Sequence, residues 1–160
     1  MAIKVGDRVP NGTFMVMTAE GPKPRTADEL FKGKKVVLFA VPGAFTPTCH
    51  KNHLPGFVKN AAAIKAKGVD TIAVTGVNDV FVMDAWKKSS GGDAIEFLAD
   101  GSGNWAKAMS LTADLTERGL GVRSQRYAMV VDDGVVKTLN VEDTPGKADI
   151  SGAENLLKSL

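Results

Sequence analysis

The sequence predicts one α/β domain in which a mixed β-sheet is flanked by helices. Three observations carry this. A chain of 160 residues, 44% hydrophobic and 24% charged, is long enough for one core and too apolar for disorder. Two short apolar runs, 34–41 and 71–75, bracket a stretch with helical periodicity, and a strand–helix–strand unit with short joints implies a right-handed crossover between parallel strands. A second pair of apolar runs, 126–131 and 135–141, flanks Asp132-Asp133-Gly134, a strong hairpin signal.

The N-terminal segment is loop-rich. Residues 13–17 read as a short strand before a turn cluster, Gly21-Pro22-Lys23-Pro24. Thr26-Ala27-Asp28-Glu29 has the form of a capping box, so a one-turn helix is expected over 28–31, ended by Gly33. The run 34–41 is nearly continuous and rich in Val, as a strand buried on both faces should be. Pro42-Gly43 ends it.

A long helix then spans roughly 47–67. Leu54, Phe57, Val58, Ala61 and Ile64 give it an apolar face. Pro55 should kink it, and Gly68 should cap it. After the strand at 71–75, Asn78 or Asp79 can cap a second helix through Trp86, broken by Ser89-Ser90-Gly91-Gly92. Residues 95–98 read as a strand, 100–103 as a turn and 104–109 as a short helix. The polar, glycine-punctuated stretch 112–123 reads as a loop with local helix, and 153–160 as a closing helix. A parallel strand–helix–strand unit followed by a hairpin and a terminal helix is the order of a thioredoxin-like sheet. No repeat, linker or composition break divides residues 1–160.

Composition narrows the function classes. The net charge is only +2, with acidic and basic residues interspersed, and no basic stripe carries interleaved aromatics, which argues against nucleic acid. No run approaches the roughly 20 apolar residues of a membrane span, and the first residues lack the apolar core of a secretory signal. A cytoplasmic location is the expectation. One cysteine excludes both an internal disulfide and a cysteine-rich metal site. No cofactor motif is present.

That cysteine closes the stretch Pro42-Gly43-Ala44-Phe45-Thr46-Pro47-Thr48-Cys49. A lone Cys is ordinarily a buried small hydrophobe, but this one sits where a helix starts. Thr46 is a good N-cap, and Pro47 suits the first helical position, which needs no donor. Cys49 then becomes the third helical residue, near unpaired N–H groups and the positive end of the helix dipole. That setting favours a thiolate, the nucleophilic form.

A thiolate needs a cationic partner, and guanidinium is always charged. Spacing does not choose among Arg8, Arg25, Arg118, Arg123 and Arg126. Arg126 opens a strand expected to be buried, where an unpaired charge is expensive, so it should have a partner; Arg123 is the fallback. The two histidines are His50 and His53. His53 lies four residues after Cys49, on the same helix side, which raises a Cys/His hydrolase as one reading; an orienting or packing role is favoured for His53 and a solvated role for His50. No third ligand lies at metal-site spacing.

Pro42, Thr46 and Cys49 match Pro-x-x-x-Thr-x-x-Cys, and the longer string resembles the active-site motif of the type II, peroxiredoxin 5-like, peroxiredoxins. His53-Leu54-Pro55-Gly56-Phe57, Val77-Asn78-Asp79 with Phe81-Val82-Met83, and 126–131 extend the resemblance over nearly the whole chain, in family order. The resemblance implies a thiol-dependent peroxidase. In it, Cys49 attacks a hydroperoxide to form a sulfenic acid, Thr46 bridges sulfur and peroxide, Arg126 faces the sulfur and Pro42 shields it. Many relatives carry a second Cys near the position of Val74; this chain has none. The expectation is therefore a one-Cys enzyme recycled by an external thiol, glutathione with glutaredoxin or thioredoxin. Homodimers are common among such relatives, with Phe45 and the Phe81 region as interface candidates. The alternative is a redox sensor that recruits a partner through oxidised Cys49 without useful turnover.

Overall fold

The computed structural model describes residues 2–160. A seven-stranded sheet runs through the molecule, its strands in the spatial order Gly21–Thr26, Thr13–Thr18, Glu96–Ala99, Thr71–Gly76, Lys35–Val41, Tyr127–Asp132 and Val135–Val141. Its centre is the expected crossover. Strand β3 (Lys35–Val41) pairs in parallel with β4 (Thr71–Gly76), which pairs in parallel with β5 (Glu96–Ala99). The remaining pairings are antiparallel, so the sheet is mixed.

Strand β3 shows why its sequence is apolar without alternation. Val37, Phe39 and Val41 enter one core layer with Leu54, Phe57, Ile64 and Trp86. Val36, Leu38 and Ala40 enter the other with Phe14, Phe31, Trp105, Tyr127 and Met129. Each face needs its own cover, and helices supply it. α2 (Leu54–Ala66), α3 (Val80–Ser90) and α5 (Ala153–Leu157) contribute to the first layer. α1 (Ala27–Phe31) and α4 (Asn104–Met109) contribute to the second.

Local signals acted largely as expected. The capping box forms: Thr26 Oγ1 accepts from Glu29 N–H, and the Glu29 carboxylate accepts from Thr26 N–H. Asp79 is the cap of α3, accepting from Val82 N–H at 2.8 Å. The hairpin joins β8 (Tyr127–Asp132) to β9 (Val135–Val141) through Asp133 and Gly134, both at positive φ (47° and 82°), the conformation of a tight two-residue turn.

Four expectations are corrected. Gly21-Pro22-Lys23-Pro24 is not a turn but part of β2 (Gly21–Thr26), hairpinned to β1 (Thr13–Thr18). β2 is an edge strand, where proline's missing donor breaks no ladder. Residues 112–124 hold a small second sheet of β6 (Thr112–Leu115) and β7 (Gly121–Ser124), with a 3₁₀ turn at Thr116–Arg118 between them. The helix expected from residue 47 is not uniform: a π-helical turn, Cys49–His53, precedes α2. Pro55 therefore falls in the first turn of α2, directly after the π-helical turn, where its missing N–H is tolerated. The closing helix ends at Leu157.

One buried polar contact ties the second core layer together: Trp105 Nε1–H donates to Tyr127 Oη at 3.1 Å. Replacing Trp105 by Phe strands that hydroxyl and should destabilise the fold by about 1–3 kcal/mol. Adding Tyr127→Phe should cost less than the sum of the single changes. Urea denaturation of the four proteins in this cycle measures the coupling; strict additivity would count against it.

Candidate active site

The cysteine, the histidine and the arginine singled out in the sequence converge where β3 gives way to the π-helical turn. Cys49 and His53 are its first and last residues and both are buried. Arg126 lies just before β8, the strand beside β3, and is only 2% exposed. Its Nη2 donates to Cys49 Sγ at 2.9 Å, and its Nη1 donates to His53 Nδ1 at 3.0 Å. Nε and Nη2 both donate to the Pro145 carbonyl, at 3.1 and 3.0 Å. The fallback residue Arg123 does not reach the sulfur.

The histidine's protonation follows from its partners. A guanidinium only donates and a carbonyl only accepts, so Nδ1 is the acceptor for Arg126 and Nε2–H donates to the Ser151 carbonyl at 2.9 Å. Burial, and secondarily the Arg126 charge, pushes His53 down from 6.5 to about 3. The ring is neutral, and both its nitrogens are engaged. It therefore cannot serve Cys49 as a base, and the Cys/His hydrolase reading fails here.

Arg126 is thus a buried cation whose partners, apart from the sulfur, are neutral: a carbonyl and an imidazole. Its positive charge is left for Cys49. The buried carboxylate of Glu142 is bonded instead to Ser151, whose N–H and Oγ–H both donate to Oε2 at 2.7 Å.

The loop before Cys49 is braced from several sides. Arg123 Nη1 donates to the Pro42 carbonyl at 3.1 Å. It passes so close to Gly43 that a Cβ there would lie 2.8 Å from Nη1, so a side chain at that position would push the end of the guanidinium aside. Asn78 caps no helix; its Oδ1 accepts from Ala44 N–H at 2.9 Å. Thr46 departs from the expected cap. Its carbonyl accepts the first helical bond, from His50 N–H at 2.8 Å, but its hydroxyl donates back to the Gly43 carbonyl at 2.7 Å. His50 is not simply solvated, since its Nδ1 accepts from Trp86 Nε1–H at 3.1 Å. A cavity of about 260 Å³ opens over this loop. Pro42, Thr46, Arg126 and Pro145 line it, together with Leu115 and Leu120 from the small second sheet and its connection.

Arg123, Asn78, Pro145, Glu142 and Ser151 were not assigned these roles from sequence. Asn78 carried a signal through the family string, and Arg123 only as the fallback cation; the others are polar or turn residues in polar surroundings.

A profile of the Redoxin family matches residues 4–157. Peroxiredoxin-2E-2, chloroplastic, of Oryza sativa subsp. japonica is 52% identical over 164 residues, covering 99% of this chain and 72% of that protein. The chain belongs to the peroxiredoxins. Peroxiredoxin-2C of the same plant is 48% identical, over 99% of this peroxiredoxin and 98% of that one. The crystal structure of reduced Prx3 in complex with hydrogen peroxide from Vibrio vulnificus superposes with a TM-score of 0.94, at 51% identity and 98% coverage of both chains. The mixed sheet is thus the thioredoxin fold of this family, and the protein is a thiol-dependent peroxidase. No helix among the described residues is long and apolar enough to cross a membrane.

The buried neutral His53 has a consequence for stability. The unfolded chain takes up a proton near pH 6.5, the folded protein only near 3. Stability from this residue is complete above the unfolded value and declines as pH falls from 6.5 toward 3. His53→Gln should lose less melting temperature between pH 7 and pH 4 than the wild type. Calorimetry at the two pH values checks this; parallel losses in both proteins would refute it.

Proposed function

We propose that this peroxiredoxin works by a one-Cys mechanism with Cys49 as the peroxidatic residue, and the observation that carries the reading is the 2.9 Å contact between Arg126 Nη2 and Cys49 Sγ. A cation without a competing anion stabilises the thiolate that attacks. The Cys49 thiolate attacks one oxygen of the hydroperoxide. An S–O bond forms as the O–O bond breaks, the hydroperoxide's own proton passes to the leaving oxygen, which departs as water or alcohol, and the sulfenate left on the sulfur takes a proton from solvent to become the sulfenic acid. Thr46 Oγ, its proton directed to Gly43, is left as an acceptor for the peroxide O–H. Arg126 donates to the oxygens as charge develops on them. Pro42 lines the cavity and limits water at the sulfur. The donors at its base and the leucine side chains in its wall suit both hydrogen peroxide and alkyl hydroperoxides.

The sulfenic acid has no second cysteine to meet within the chain. An external thiol condenses with it and releases water, and a second thiol attacks the mixed disulfide to restore Cys49. We assign that role to glutathione with glutaredoxin, or to thioredoxin. A need for reduced thiols fits a reducing compartment such as the cytoplasm. Phe45 and Phe81 are 46% and 64% exposed, which supports a homodimer closed over this face.

Stopped-flow mixing with hydrogen peroxide or an alkyl hydroperoxide, followed by intact mass, should show fast formation of a one-oxygen adduct. Cys49→Ser should abolish it and Arg126→Ala should slow it by about 100-fold or more. A wild-type rate no greater than that of a free thiol would sink the reading. Turnover assays with each reductant system then identify the donor. Light scattering should give a dimer mass that Phe81→Asp converts to monomer, and a monomeric wild type would dismiss the dimer.

A further inference from the structure

Glu142 is a buried carboxylate for which the reaction above has no use. Among the described residues, no Lys, Arg or His nitrogen pairs with it. A buried unpaired carboxylate is expensive to keep, so its retention calls for a reason. Its Oε2 takes both the N–H and the hydroxyl of Ser151, which closes the loop 142–151 at its neck.

That loop holds Arg126 from two directions. The Pro145 carbonyl accepts twice from the guanidinium. The Ser151 carbonyl accepts from His53 Nε2–H, which leaves Nδ1 as the acceptor for Arg126. Thr48 Oγ1, beside Cys49, donates to the Gly146 carbonyl at 2.9 Å and ties the loop to the catalytic turn. Any shift of Ser151 moves the carbonyl that sets the histidine tautomer. A flipped tautomer would aim an N–H at the guanidinium.

We propose that Glu142, acting through Ser151 and His53, is a positioning residue for Arg126 in peroxide reduction. It latches the loop so that two neutral acceptors hold the guanidinium against the sulfur. Its carboxylate makes no bond to the guanidinium; the two residues meet directly only where Glu142 N–H donates to the Arg126 carbonyl at 2.9 Å. The proposal rests on the reading of Arg126 as the partner of the Cys49 thiolate.

The test compares wild type, Arg126→Ala, Glu142→Ala, Glu142→Gln and Ser151→Ala. The readouts are the stopped-flow rate of sulfenic acid formation with hydrogen peroxide and the long-range ¹H–¹⁵N spectrum of His53. Glu142→Ala should react about 10- to 100-fold more slowly than wild type. Glu142→Gln, whose amide oxygen accepts the same hydrogens, should recover to within about threefold. Wild-type His53 should be the Nε2–H tautomer, and Glu142→Ala should lose that single signature. Ser151→Ala removes only the hydroxyl bond and remains informative if Glu142→Ala fails to fold; it should be slowed severalfold. A slow Arg126→Ala beside a wild-type rate in Glu142→Ala or Ser151→Ala overturns this proposal alone. So does a Glu142→Gln as slow as Glu142→Ala, or an Nδ1–H tautomer in wild type. A wild-type rate in Arg126→Ala removes the underlying reading, and this proposal with it.

Discussion

A guanidinium buried beside a sulfur, with no carboxylate bonded to it, is the constraint from which most of the local architecture follows. Taking an arginine out of water is costly, and the ordinary remedy is an ion pair. An ion pair here would weaken the field at Cys49. The chain uses neutral acceptors instead. The Pro145 carbonyl takes two hydrogens, and the buried imidazole of His53 takes a third. The charge is solvated by dipoles and still available to the thiolate. Each acceptor must then be held in place, which is why a loop far along the chain is tied back to the first turn of the catalytic helix.

The π-helical turn answers a related geometric demand. Cys49 and His53 must both reach the arginine, and both must be buried. Four residues apart, both side chains lie on the inner face of this turn while the exposed Lys51 and Asn52 stay outside. Leu54 N–H closes the turn on the Cys49 carbonyl, and Pro55, which has no N–H, follows at once. The helix can change from π to α there because the next residue has no donor to place.

The sequence made the core of this fold legible because its signals were local and physically redundant. Strand β3 announced burial on both faces, Thr26 and Glu29 formed the box their spacing implies, and Asp133-Gly134 turned the hairpin. The misreadings share a cause: a surrounding or partner other than the one the local pattern implies decided the outcome. Pro22 and Pro24 read as a turn, yet an edge position makes them compatible with a strand. Thr46 read as a cap, yet its hydroxyl found the Gly43 carbonyl three residues back. His50 read as solvated because nothing local reveals Trp86. At the site, Cys49 was conspicuous and Arg126 inferable from the cost of burying it. Glu142 and Ser151 were illegible, because an acidic residue and a serine in a polar stretch look the same whether they face water or each other.

The comparison of Arg123 with Arg126 shows what sequence lacks. Arg123 lies in β7 and Arg126 just before β8, three positions further on. Arg123 is half-buried, satisfies carbonyls of Leu120 and Pro42, and acts as a strut across the loop that shapes the cavity. Arg126 is buried deeper and meets the sulfur. The same side chain thus gives a scaffold bond in one place and an electrostatic partner in the other, and the difference lies in the acceptors. A histidine at 53 suits this division because a neutral imidazole accepts from Arg126 on one nitrogen and anchors itself through the other. A glutamate there would neutralise the guanidinium, and a lysine would repel it and accept nothing.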